Sequence, residues 1–157
     1  MIDNDFPIFA KLPPANLDGV ANEWREFLRG IKFTVQKDIT LHQDGTHSVY
    51  VIHITLVRER TKPITFYYVG STTDPNARAN KHKSEIQTCK TTTFTGKARL
   101  YDPLLMIGLT EIQISFVVTS TGHTKDQAAE GERMLALDLR QEYGEKVLTS
   151  PTGKKPR

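Results

Sequence analysis

The pattern of apolar and polar positions predicts a helix followed by two strands in the first part of the chain. Apolar residues recur at helical spacing over residues 18–29, and Asp18 is placed to cap the start of this segment. Residues 47–57 are dense in β-branched and aromatic side chains, which is typical of a strand. A second strand is predicted over residues 64–69, ended by Gly70. The two strands read as a hairpin with an enlarged, charged loop.

The second part of the chain alternates between helical and strand patterns. Thr73 or Asp74 can cap a helix that begins at Pro75 and runs to about Gln87, because a proline is tolerated at the first helical position.

A threonine-rich loop is expected to follow that helix, and three more elements are predicted after it. The apolar spacing over residues 97–107 predicts a helix. Over residues 112–118, apolar and more polar side chains alternate, which predicts a strand. Thr124 begins a capping-box spacing that predicts a last helix ending at Gly144. The element order α, β, β, α, α, β, α predicts a small α/β domain in which helices cover a three-stranded sheet.

Length and composition restrict the class of protein. The chain has 157 residues, 38% of them hydrophobic and 25% charged, which favours one globular domain over a disordered chain. Its single cysteine, Cys89, excludes an intramolecular disulfide framework and a cysteine-built zinc site. The first residues are acidic where a signal peptide is basic, and no apolar run approaches the roughly 18 residues of a membrane span. We therefore expect a cytoplasmic protein that does not bind a membrane.

The net charge of +3 conceals an uneven distribution. Residues 1–57 carry a net charge of −2, residues 58–99 carry +6, residues 100–153 carry −4 and residues 154–157 carry +3. A basic block of this kind suits a polyanion, because each neutralised phosphate releases condensed counterions. A solvated surface of mixed charge explains the same numbers, so charge alone leaves the partner open.

Five residues stand out because of their chemistry and order. Tyr50 lies in the first strand, and Tyr68 lies near the end of the second. Arg78 and His82 are four residues apart and share one face of the next helix. Glu132 falls on the apolar stripe of the last helix, although buried carboxylates are rare without a partner. Taken singly, strand tyrosines are usually core residues, and an Arg/His pair on a helix is usually solvated.

Together these residues resemble the GIY-YIG nuclease superfamily. The first signature reads Ser48-Val49-Tyr50 and the second reads Tyr68-Val69-Gly70, with Arg78 on the following helix and Glu132 on a later one. The resemblance extends over residues 46–148 and implies a mainly antiparallel three-stranded sheet flanked by helices. It makes residues 1–45 an N-terminal extension with a short helix and residues 149–157 a basic tail.

The chain also departs from the family pattern. The first signature keeps only its tyrosine, and the spacing of 18 positions from Tyr50 to Tyr68 exceeds the usual family spacing. Where the family often has an asparagine near its C-terminal end, this chain has Leu148-Thr149-Ser150, so Ser150 is a candidate substitute. Glu130 lies close enough to Glu132 that either is a candidate for the metal ligand.

The resemblance implies hydrolysis of DNA phosphodiester bonds by a Mg²⁺-dependent endonuclease of compact restriction or phage type. Glu132 would hold Mg²⁺, with Mn²⁺ able to substitute, and Arg78 would stabilise the charge that develops on the phosphate. Tyr50 would orient the attacking water and, as a phenolate, take its proton. His82 would accept the proton of Tyr50 or act as the base itself, and Tyr68 would hydrogen-bond the nucleophile or the phosphate.

The implied substrate is double-stranded DNA, and one active site per chain favours a homodimer for cutting both strands. A phage-encoded enzyme of this kind would work in the host cytoplasm. Two alternatives stay open, namely a non-catalytic nucleic-acid-binding module on the same scaffold and an unrelated α/β domain. The residues expected to contact DNA phosphates are basic and lie in the central block: Arg58, Arg60, Lys62, Lys81, Lys83, Lys90, Lys97 and Arg99.

Overall fold

The structure is a computed structural model that describes residues 23, 26–87 and 107–148, except for the side chain of Glu145. Four predicted segments lie wholly or mostly outside these residues: the helix over residues 97–107, except for its last residue, the threonine-rich loop, the C-terminal tail and most of the helix over residues 18–29. The strands are β1 (Lys32–Asp38), β2 (His47–Arg58), β3 (Ile64–Thr72) and β4 (Leu109–His123), and the α-helices are α1 (Pro75–Gln87) and α2 (Lys125–Tyr143). A single turn of 3-10 helix (Gly144–Lys146) follows α2.

The four strands form one mixed sheet in the order β1-β4-β2-β3. Strand β2 pairs in antiparallel fashion with both β3 and β4, while β1 pairs with β4 in parallel. The α/β class is therefore confirmed, but the prediction of a three-stranded sheet is wrong. The missed strand lies within the segment interpreted as an N-terminal extension. Its residues Phe33 and Val35 alternate with polar ones and pack against the core on one face of the sheet.

Two predicted strands are longer in the structure than in the sequence analysis. Strand β3 does not end at Gly70 but continues to Thr72, because Gly70 pairs with Tyr50 and Thr72 pairs with Ser48 across the β2–β3 ladder. Strand β4 extends well beyond residues 112–118 at both ends, since it lies between β1 and β2 and pairs with both. The hairpin of β2 and β3 itself is confirmed.

Helix α1 covers one face of the sheet. The even-numbered residues of β2, from Tyr50 to Leu56, point to this face and pack with Phe66 of β3 and Phe116 of β4. Ala79 and Ile86 of α1 complete this layer of the core. Helix α1 begins where the sequence predicts, and Asp74 is its cap, because its carboxylate accepts a 3.1 Å hydrogen bond from the backbone N–H of Ala77.

Helix α2 packs against the opposite face, where the core is smaller. Val49, Val51 and Val69 of the sheet meet Ala128 and Ala136 of the helix. The predicted capping box is present, since the Thr124 hydroxyl accepts from the N–H of Gln127 and the Gln127 side chain accepts from the N–H of Thr124. Within the described part of the chain, no helix combines the length and the apolar character needed to cross a bilayer.

Candidate functional site

The side chain of Tyr50 lies across Gly70 on the neighbouring strand. The two residues are directly paired in the β2–β3 ladder, and a Cβ atom at Gly70 would collide with the hydroxyl and Cζ of Tyr50. The other side of the Tyr50 ring stacks on Phe116, with ring centroids 4.5 Å apart. Tyr50 is thus held between β3 and β4 with no exposed surface. Glycine is needed at position 70 because of this close approach, not because of its backbone conformation.

His82 of α1 meets both tyrosines. The Tyr50 hydroxyl and His82 Nε2 are 2.8 Å apart and share a hydrogen bond, and the ring centroids of Tyr68 and His82 are 5.1 Å apart. His82 is 5% exposed, so this hydrogen bond is shielded from bulk water. The helix presents His82 here because α1 lies over the face of the sheet to which Tyr50 and Tyr68 point.

Arg78 and Glu132 approach the same end of β3 from the two helices. Arg78 Nη1 donates a long hydrogen bond, 3.5 Å, to the backbone carbonyl of Ser71. The Ser71 hydroxyl donates to Glu132 Oε1 at 3.1 Å. Helix α2 lies close to the sheet here, since a Cβ on Gly131 would be 3.3 Å from Cγ2 of Val49. Ser71 therefore connects the arginine of one helix with the carboxylate of the other.

Burial and neighbouring charges determine the protonation of the two tyrosines. Burial raises the pKa of Tyr50 far above its ordinary value, the nearby Tyr68 raises it further, and the charge and hydrogen bond of Arg78 partly oppose this rise. Burial raises the pKa of Tyr68 to about 12, the Glu132 carboxylate adds to this rise, and Arg78 opposes it. Both side chains are therefore neutral phenols at neutral pH.

The structure distinguishes the two glutamates that the sequence left as candidates. Glu130 is exposed and forms an ion pair with Arg133, with 2.7 Å between Oε2 and Nη2. Glu132 is half-buried and reaches Ser71, one residue beyond Gly70. Of the two carboxylates, only Glu132 faces the strand that carries Tyr68.

The donor set fits a cation held mainly by water and phosphate. Among residues 23, 26–87 and 107–148, no group of three or more His, Cys, Asp or Glu side chains could enclose a metal ion. Mg²⁺ commonly binds through one or two carboxylates, retains several waters and completes its shell with substrate phosphate oxygens. A single carboxylate at Glu132, beside the Ser71 hydroxyl, fits this type of site and does not fit a zinc or calcium cage.

The basic residues predicted to contact DNA fall into three groups. Arg58, Arg60 and Lys62 lie at the turn between β2 and β3, where Arg58 Nη2 donates to the carbonyl of Lys62 at 3.3 Å. This turn is at the opposite end of β2 from Tyr50, about 26 Å away along the strand. Lys81 and Lys83 lie on α1, next in sequence to His82. The remaining three lie outside the described residues, as does Ser150: Lys90, Lys97 and Arg99.

Three residues of the site had no assigned role in the sequence analysis. Gly70 accommodates Tyr50, Ser71 joins Arg78 to Glu132, and Glu85 lies beside His82. The roles of the first two depend on strand register, which a single sequence does not reveal. The contact of Glu85 with His82 could have been predicted from the sequence, because residues three apart on a helix are neighbours.

The comparisons with known proteins leave the family open. No protein family, curated protein or solved structure matches the chain. The resemblance to GIY-YIG nucleases therefore depends on the residues named above and on their arrangement.

Proposed function

We propose that the protein is a metal-dependent endonuclease that hydrolyses DNA phosphodiester bonds at this site. The observation that carries the proposal is the hydrogen-bonded pair of Tyr50 and His82, with Arg78 and Glu132 joined through Ser71 at the same end of β3. Tyrosine, histidine, arginine and glutamate can together move a proton, balance charge and provide a metal ligand. Together with Ser71, these residues come from four separate elements, namely β2, β3, α1 and α2.

The reaction is hydrolysis of a phosphodiester. A water oxygen forms a bond to phosphorus, the bond from phosphorus to the leaving oxygen breaks, and that oxygen departs with the electron pair and takes a proton from solvent. The proton lost by the attacking water must go to a group of the protein. Because the raised pKa keeps Tyr50 neutral, its hydroxyl can accept this proton only as it passes its own to Nε2 of His82.

Arg78 is placed to do two things in this scheme. Its guanidinium lowers the pKa of Tyr50 against the effect of burial, and its planar set of donors matches phosphate oxygens. Since Tyr50 has no exposed surface, the attacking water can reach its hydroxyl only if the side chains around the ring move when the phosphate binds. Binding of the substrate would thus open the path to Tyr50.

Glu132 would hold Mg²⁺, with Mn²⁺ as a substitute, and the bound ion would supply Lewis-acid stabilisation of the charge that develops on the phosphate and leaving oxygen. Tyr68, which is half-buried, would hydrogen-bond the phosphate or the water as a neutral phenol. Lys81 and Lys83 are the basic residues on α1 that would meet neighbouring DNA phosphates. The turn that carries Arg58, Arg60 and Lys62 would bind the duplex further away, and a homodimer would cut both strands.

The experiment is incubation of supercoiled plasmid with the purified protein in Mg²⁺, in Mn²⁺ and in EDTA. The proposal predicts nicked or linear plasmid with either metal and intact plasmid in EDTA. Tyr50→Phe and Arg78→Ala should each reduce cleavage. Plasmid that stays intact with every divalent metal while still shifting in a gel would contradict the proposal.

A non-catalytic nucleic-acid-binding module is the second candidate, and the burial of Tyr50 is the observation that favours it. A tyrosine with no exposed surface that stacks on Phe116 can serve as a core residue alone. This candidate predicts DNA binding without cleavage, and binding that does not change in Tyr50→Phe. A protein that neither cuts nor binds DNA would contradict both candidates and favour an unrelated α/β domain.

A further inference from the structure

We propose that Glu85 is the positioning residue that makes His82 the proton acceptor for Tyr50. His82 Nδ1 lies 3.6 Å from Glu85 Oε1, and His82 Nε2 lies 2.8 Å from the Tyr50 hydroxyl. The three residues thus form a line from carboxylate to imidazole to phenol. This inference rests on the proposed nuclease function for its kinetic consequence, although the arrangement itself can be tested without catalysis.

The burial of Glu85 is the first argument. Its side chain is 8% exposed and that of His82 is 6% exposed. Glutamate is rarely buried unless it has a partner, because removing a carboxylate from water is costly. Glu85 lies three residues after His82, so both project from the same side of α1.

The geometry also selects one form of the histidine. A carboxylate near Nδ1 favours the tautomer that carries its proton on Nδ1, which leaves the Nε2 lone pair free to accept from the Tyr50 hydroxyl. The titratable groups that contact His82 include Tyr50 of β2, Tyr68 of β3 and Glu85 of α1, while Arg78 of α1 and Glu132 of α2 act on both tyrosines through their charges. Of the two carboxylates, Glu85 is the one that lies against Nδ1 of His82, and it stabilises the imidazolium that forms when His82 takes a proton.

The proton movement is balanced as follows. The attacking water gives its proton to the oxygen of Tyr50 while the Tyr50 hydroxyl proton moves to Nε2 of His82, so Tyr50 ends as it began. His82 becomes an imidazolium, held between Glu85 and Tyr50, and later returns its proton to solvent. Glu85 keeps its charge throughout and acts only through His82.

The first experiment measures the tautomer of His82 by two-dimensional ¹H–¹⁵N NMR in the wild-type protein and in Glu85→Gln. Glutamine keeps an oxygen near Nδ1 but removes the charge. The proposal predicts a proton on Nδ1 in the wild type, and a His82 titration midpoint that falls by about 1 pH unit in Glu85→Gln. Glu59→Gln, which removes an exposed carboxylate in the β2–β3 turn, is the matched control and should leave the midpoint unchanged. A neutral His82 with its proton on Nε2, or an unchanged midpoint in Glu85→Gln, would overturn the proposal.

The second experiment measures the pH dependence of plasmid cleavage. Because His82 must be neutral to accept a proton, activity should rise with pH through the His82 midpoint. Glu85→Gln should lower the plateau about 10- to 100-fold and move the rising limb to lower pH. Glu85→Asp, which retains the charge, should recover part of both effects. If Glu85→Gln lowers the maximal rate but leaves the rising part of the pH profile at the same pH, Glu85 has only a structural role and the proposal is contradicted.

The two experiments separate the two proposals. A wild-type protein that never cuts DNA but shows the predicted tautomer and midpoint would contradict the nuclease and leave the arrangement of Glu85 and His82 supported. A protein that cuts DNA and shows no change in Glu85→Gln would support the nuclease and contradict the role of Glu85.

Discussion

Replacing Gly70 with alanine tests the central contact of the site, the packing of Tyr50 across β3. The new Cβ would occupy the space of the Tyr50 hydroxyl and Cζ. The ring cannot retreat easily, because Phe116 stacks on it and His82 holds its hydroxyl. Overpacking of this kind costs about 1–3 kcal/mol in the free energy of unfolding. For a chain of this length each kcal/mol lowers Tm by about 2–4 °C.

The assay is urea unfolding of Gly70→Ala together with a control at another glycine. Gly30→Ala is the matched control, because the nearest atom to its new Cβ is the Phe27 carbonyl oxygen at 4.0 Å. We expect no loss of stability there, and a gain of up to about 1 kcal/mol from the less flexible unfolded chain.

A double-mutant cycle then identifies the partner of Gly70. In a Tyr50→Leu background, which removes the atoms that collide, Gly70→Ala should cost at least about 1 kcal/mol less than in the wild type. If Gly70→Ala is as stable as the wild type, or if its cost is the same in both backgrounds, Tyr50 does not lie across Gly70 and the described site is wrong.

Three further predictions concern the cap, the buried phenol and the arginine. Thr124→Ala removes the capping box of α2 and should lower the free energy of unfolding by about 1 kcal/mol, measured in urea, with cleavage unchanged. Because the folded-state pKa of Tyr50 is raised, its contribution to stability is complete below pH 10 and is lost as the pH rises further. The free energy of unfolding should therefore fall less between pH 9 and pH 11 in Tyr50→Phe than in the wild type. An equal fall in both proteins would contradict the burial of the Tyr50 hydroxyl. Arg78→Lys keeps the positive charge but loses the planar set of donors, so the cleavage rate should fall about 100-fold. Full activity in this variant would show that the guanidinium of Arg78 is not needed for cleavage.

Local sequence signals predicted the elements that carry the site. The β-branched run that became β2, the proline after Asp74 and the capping box at Thr124 each specify an element through neighbouring residues, and the structure has all three. Strand β1 was missed because its apolar pattern is short and its pairing with β4 joins residues nearly 80 positions apart, such as Lys32 and Glu111.

The arrangement of the site was only partly predictable. The order Tyr50, Tyr68, Arg78, His82 and Glu132 can be seen in the sequence, and the structure brings all five to one end of β3. The close approach of Tyr50 to Gly70 and the hydrogen bond from Ser71 to Glu132 depend on strand register and on how closely α2 approaches the sheet. The sequence analysis predicts that the basic residues of the β2–β3 turn contact DNA. It does not predict how far this turn lies from Tyr50, because that distance depends on the direction in which β2 runs away from the site.

The most direct test of the nuclease proposal is Mg²⁺-dependent plasmid cleavage by Glu132→Gln and Glu130→Gln, measured side by side. Both variants remove one carboxylate from α2 and are two residues apart, but only Glu132 faces β3. The proposal predicts that Glu132→Gln abolishes cleavage and that Glu130→Gln cuts at the wild-type rate. Cleavage that survives in Glu132→Gln, or that is absent from the wild-type protein, would contradict it.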